Sequence, residues 1–152
     1  MGCTPQIENP STAQTIKRDI LGSWYSKADI GTKDGIQIKG IGKETFYRNG
    51  TLKSMVWLNF FDLKGRHVGK VLFTRYFQWQ AKGNTIVAKF KNCKTRVLKK
   101  SRHTDIAFFG DFMSLACKYA NSGKIATPII KYVRAVGKNK AIIGNEVYTR
   151  KR

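Results

Sequence analysis

Acidic residues are scarce: 9 Asp and Glu stand against 29 Lys and Arg in 152 residues, a net charge of +20. So few carboxylates, spread along the chain, exclude a carboxylate-rich metal centre. Histidine is nearly absent. His67 and His103 sit in basic, loop-like surroundings that suit surface residues rather than ligands. The three cysteines form no Cys-x-x-Cys pair and no Cys/His spacing for zinc. No run of 18 apolar residues occurs, so no transmembrane helix is expected. Gly-x-Ser-x-Gly, the P-loop and His-Glu-x-x-His are also missing. Cys93 lies in a basic run that would lower a thiol pKa, but it has no placed base. The chain therefore reads as non-enzymatic, with no catalytic residues, no metal and no cofactor.

What is present is enough for one core. Hydrophobic residues make up 41% of the chain and aromatics 12%, which excludes wholesale disorder and suits a single domain. Residues 1–16 read as a flexible leader or tether and 17–152 as the domain. The charge is uneven. Between Leu63 and Thr104 there are twelve basic residues and no acid. Such a surface attracts polyanions: an acidic protein, an anionic membrane surface or glycolipid, or nucleic acid.

The dominant signal is short strands. One begins near Leu21. The next runs from Ile36 past Gly40 and Gly42 towards Arg48, and the next from Thr51 to Phe61. Asn49-Gly50 between them is the strongest turn signal, since a type I′ turn needs positive φ at both central residues. Further strands are expected over Val68–Gln80 and Thr85–Asn92, with turns at Asp62–Gly65 and Lys82–Asn84. Ile106, Phe109, Phe112, Met113, Ala116 and Tyr119 then fall near helical spacing, predicting a helix over about 105–120. Two strands follow, near 127–136 and 140–150. The expected fold is mainly β: an antiparallel meander of seven or eight strands closing into a barrel, with the helix before the last two strands. The helix stripe of Phe108, Phe109, Phe112 and Met113 reads as core, capping one barrel mouth.

Alternation places candidate ligand contacts. Val71, Phe73, Arg75, Phe77 and Trp79 share one face of a strand. An Arg among four apolar residues, if it points inward, needs an anion. That anion is either a ligand carboxylate or phosphate held by the guanidinium, or an internal partner such as Glu44 or Glu146. On the 52–60 strand, Leu52, Ser54 and Val56 face one way and Lys53, Met55 and Trp57 the other, one face lining the barrel and the other packing under the helix. Tyr132 and Arg134 share a face, as do Glu146, Tyr148 and Arg150; the two sets could meet across the last hairpin. Candidate ligand contacts are thus Arg75, Trp57, Phe73, Phe77, Trp79, Tyr132, Arg134 and Tyr148. Cys93 and Cys117 either pair, closing a loop of about 24 residues worth roughly 3 kcal/mol, or remain buried free thiols.

Two motifs carry a family resemblance. Gly22-Ser23-Trp24 resembles the lipocalin Gly-x-Trp motif, and Glu44-Thr-Phe-Tyr-Arg-Asn-Gly-Thr-Leu52 resembles a hairpin of bacterial lipocalin-like (calycin-type) domains. The resemblance implies a barrel whose cavity holds a small apolar or amphipathic molecule. It also implies that Gly22, Trp24 and Arg150 close one end, with Arg134 as the competing Arg. The helix departs from the family, in which many members place theirs after the last strand. Gly2-Cys3 followed by a polar linker resembles the trimmed junction of a small bacterial lipoprotein. That would make Cys3 the lipidated residue of an anchored periplasmic or outer-membrane protein. The expected function is the binding of a small amphipathic or anionic ligand in the cavity. The alternative is docking of an acidic partner on the basic exterior, with nucleic acid less favoured than protein or glycolipid.

Overall fold

The computed structural model describes residues 13–100, 104–124 and 127–150. The described residues begin with a short helix, α1 (Ala13–Asp19), followed by strands β1 (Gly22–Lys33), β2 (Ile36–Phe46), β3 (Thr51–Phe61), β4 (His67–Lys82) and β5 (Thr85–Lys99). Helix α2 (Thr104–Tyr119) runs into a wider turn at Ala120–Lys124, and β6 (Ile129–Val136), β7 (Lys140–Ile143) and β8 (Glu146–Thr149) finish the chain. The eight strands form a closed antiparallel barrel in sequence order. The mainly β meander with one long helix is as expected. Three strands rather than two follow that helix. The expected 140–150 strand is broken at Gly144, whose φ of 62° turns the chain back within a few residues.

The turns also differ from expectation. Asp34 and Gly35 both have positive φ (52° and 79°), the signature of a type I′ turn, and join β1 to β2 in a two-residue hairpin. At Asn49-Gly50 only the glycine is left-handed (φ 93°). There a four-residue loop forms instead, in which the Asn49 side chain accepts a bond from the Thr51 N–H at 2.9 Å.

The barrel is lopsided. β1 to β5 run 11 to 16 residues, whereas β7 and β8 have four each. The two ends are therefore closed differently. At one end Ile16 of α1 and Ile20, just after it, pack under Trp24, all three fully buried. α1 thus overlaps the expected leader, and Ile16 is core; residues 1–12, with Cys3, lie outside the described residues. At the other end α2 lies against β5 and β4. Its Cys117 is disulfide-bonded to Cys93, with Cα atoms 5.4 Å apart. Cys93 pairs across the sheet with Arg75, so both point inward and the helix covers the mouth that β6–β8 are too short to wall. The outer face of β3 is not under the helix, contrary to expectation. The side chains of 101–110 and Phe112, and with them most of the expected aromatic stripe, lie outside the described residues.

Two polar details hold α2 in place. Beyond Ala88, β5 has no registered partner on the β6 side. The Asn121 side chain supplies one: its Oδ1 accepts from Cys93 N–H at 2.8 Å and its Nδ2 donates to Cys93 C=O at 3.0 Å. A side-chain amide here does what a neighbouring strand does elsewhere. Thr95 Oγ1 also lies 3.3 Å from Cys117 Sγ.

Candidate functional site: a polar row inside the barrel

Register alone sets one row of inward residues across five strands. Trp24 stands opposite Glu44, Glu44 opposite Ser54, Ser54 opposite Arg75, and Arg75 opposite Cys93. Directly opposed side chains sit about 5 Å apart. Glu44 and Arg75 are separated by one whole strand, roughly 10 Å of backbone. They do not form an ion pair; Ser54, 2% exposed, stands between them. Arg75 Nη2 reaches Ser54 Oγ at a long 3.4 Å, and its guanidinium lies 5.6 Å from the Phe73 ring and 5.4 Å from Phe77. Among the described residues, two buried polar atoms are left without a protein partner, Arg75 Nε and Glu44 Oε2.

Both residues face one cavity of about 60 Å³. Its apolar wall includes Phe46, Leu52, Phe77, Ile86 and Ile143, and Lys131 and Tyr148 stand towards the β6 side. A single water needs roughly 10–15 Å³ on this measure, and drug-sized sites run to hundreds. The cavity therefore suits a small polar group, not a large apolar ligand. Lys131 Nζ is 3.8 Å from Glu146 Oε1, and the Tyr148 hydroxyl donates to Glu146 Oε2 at 3.3 Å. Burial pushes the Tyr148 phenol well above its usual range.

Burial also raises the Glu44 pKa, against the opposing pull of Ser54 and the positive charge of Arg75. The folded state therefore holds this proton more tightly than the unfolded chain does. Its contribution to stability is full below the ordinary Glu pKa of about 4.3 and is lost as pH rises through the folded value. Glu44→Gln should abolish that loss. In urea denaturation between pH 4 and 8, the wild type should carry an extra negative slope of up to about 1.4 kcal/mol per pH unit, missing from the variant. Identical slopes would show that folding leaves the Glu44 pKa unchanged.

The expected contacts divide into two groups. Arg75, Phe77 and Tyr148 line the cavity. Phe73 points the same way but packs higher, against Cys93 and Cys117. Four others do not reach it. Trp57 is on the outer face of β3, because Ser54, Val56 and Leu58 take the inner positions. Trp79 is buried at the closed end, edge-on to Phe46 at 5.2 Å. Tyr132 and Arg134 point outward, while Lys131 and Val133 take the inner positions on β6. The two sets on the last strands thus face opposite sides and do not meet. Sequence reasoning missed Lys131 as a lining residue. Alternation with Val133 was the available signal.

Gly22, Trp24 and Arg150 stand together at the end that α1 covers. Arg150 lies 3.5 Å over the Trp24 ring and donates to the carbonyls of Leu21 at 2.7 Å and Asp19 at 2.9 Å. Gly22 has φ 101°, and a Cβ there would come within 2.9 Å of Arg150 Nη1. The left-handed backbone there favours glycine, and a Cβ would push the Arg150 guanidinium aside. Arg134, the competitor, is exposed. No protein-family model matches the sequence, and no curated protein is significantly similar to it.

Proposed function

We propose that this chain is a non-enzymatic binding protein that holds a small anionic group, carboxylate or phosphate, head-first in the barrel cavity. The observation that carries this reading is the pair of buried, unpartnered atoms, Arg75 Nε and Glu44 Oε2, facing one space. A buried donor without an acceptor costs about 1–3 kcal/mol, which an oxyanion would recover. Arg75 Nε–H donates to one oxygen of the ligand. Glu44, whose pKa burial raises, donates to the other in its protonated form. We further propose a lipocalin-like barrel, on the support of the Gly22–Trp24–Arg150 closure, and a lipid anchor on Cys3.

Native mass spectrometry of protein purified from its host tests these together. The expected result is a discrete extra mass that leaves on denaturation and is absent from Arg75→Met. A lipid on Cys3 would instead survive denaturation. Titration should then show octanoate or inorganic phosphate binding at least tenfold more weakly to Arg75→Met. A bare wild-type mass, with neither compound raising the melting temperature, would overturn the cavity reading.

A further inference from the structure

The opposite face of β1–β5 carries a second pattern. Four neighbouring rows of its outward residues are in register. One places Lys43 beside Tyr25 and Met55, and ends at Lys94. The next runs from Lys27 through Ile41, Trp57 and Leu72 to Arg96. Lys39 and Lys70 flank Asn59 in a third, and Lys53 sits beside Tyr76 in the fourth. Asp29, opposite Lys39, is the sole carboxylate in these rows. Rows on one face repeat about every 7 Å along a strand, less than the Debye length of about 10 Å at 0.1 M salt. The cations therefore act as one field.

Aromatic rings are interleaved with them. Lys43 Nζ lies 5.7 Å from the Tyr25 ring centre and Lys53 Nζ 5.9 Å from that of Tyr76. Tyr25, Trp57 and Tyr76 are half-buried, so part of each ring remains open to solvent. Ring flanks between ammonium groups suit a polyanion that also carries flat π-systems.

Curvature selects the form of that polyanion. These rows wrap five of the eight strands of a closed barrel, so the surface is convex. A planar membrane or a stiff duplex touches a convex cylinder along a narrow line and leaves most of the cations unpaired. The apolar residues here, Ile41, Met55 and Leu72, are half-buried rather than protruding, which gives a bilayer little to take up. A flexible chain can follow the curve. We infer that the outer face of β1–β5 is a binding surface for single-stranded nucleic acid, with lysines tracking phosphates and Trp57 and Tyr76 stacking on bases. Lysines act as point charges without bidentate geometry, so binding is independent of sequence.

The inference is independent of the cavity, and its test uses the full chain. Fluorescence anisotropy should show a labelled oligothymidylate of fifteen nucleotides binding more tightly than a duplex of the same length or phosphatidylglycerol vesicles. Each phosphate contact contributes about 0.7 to the slope of log K against log salt. The triple variant Lys43→Gln, Lys53→Gln, Lys94→Gln should therefore lower the slope by about 2 and weaken binding about 100-fold at 0.1 M salt. Trp57→Leu should weaken the oligonucleotide about tenfold and leave heparin, which has no bases, unchanged. Circular dichroism melts of all variants guard against misfolding. Equal affinity for duplex or vesicles, an unchanged slope in the triple variant, or equal losses for heparin and oligonucleotide on Trp57→Leu would each overturn the proposal.

Discussion

Trp24→Ala should cost about 3–5 kcal/mol, most of the margin by which a domain of this size stays folded. The indole is fully buried against Ile16 and Ile20 at the closed end, so truncation leaves a void that those two side chains and a strand cannot collapse around. Its Nε1–H donates to the Ile20 carbonyl at 2.7 Å, so an acceptor is orphaned as well. Arg150 loses the ring beneath it while its bonds to the Asp19 and Leu21 carbonyls remain. Trp24→Phe keeps most of the burial and should cost only about 1–2 kcal/mol. Urea denaturation followed by far-ultraviolet circular dichroism gives both numbers. A double-mutant cycle with Arg150→Met should show coupling of about 1 kcal/mol or more. An alanine variant within 1 kcal/mol of wild type would mean that α1 does not close the barrel.

Removing the disulfide should have the next largest effect. Cys93→Ala with Cys117→Ala opens a 24-residue link and should destabilise the chain by about 3 kcal/mol. The loss is also local. Asn121 still clasps the backbone of Cys93, so α2 remains docked but frays more readily. Hydrogen exchange should accelerate in α2 and in the β5 stretch beneath it, while β1–β3 keep their protection. Reduction of the wild type should reproduce the variant's urea midpoint. A midpoint indifferent to reductant would show that the two sulfurs carry no part of the stability.

Much of this architecture was readable because its signals are local. Alternation marked the long strands, spacing marked α2, and Gly22-Ser23-Trp24 with Arg150 marked the closed end. Arg75 stood out as a cation among apolar neighbours, and the structure turns it inward. The errors came where local signals conflict or are short. β3 is apolar on both faces, so Trp57 looked as eligible for the interior as Leu52. On β6 the outward Ile130 and Tyr132 are as apolar as inward residues, and 61% and 62% exposed. α1 is seven residues long, and within it only Ile16, four residues before Ile20, marks a buried face. The Asp34-Gly35 turn carries the residues a type I′ hairpin favours, but its flanks read weakly as strand. Glu44 needed register to be placed: only with β2, β3 and β4 aligned does it fall in line with Ser54 and Arg75.

Among the described residues, the seam of the barrel rests on one registered pair, Tyr25 with Thr149. Every other neighbour in the sheet is also the next strand along the chain. Hairpins can therefore zip one after another, each closing a modest loop. The last step alone must join segments as far apart as Arg150 and Asp19, 131 residues. Contacts of that span form late, and interactions absent from the folding barrier govern how fast a protein comes apart. The grip of Arg150 on the first turn of the chain is then a matter of lifetime: it sets how long the barrel stays shut rather than how quickly it forms.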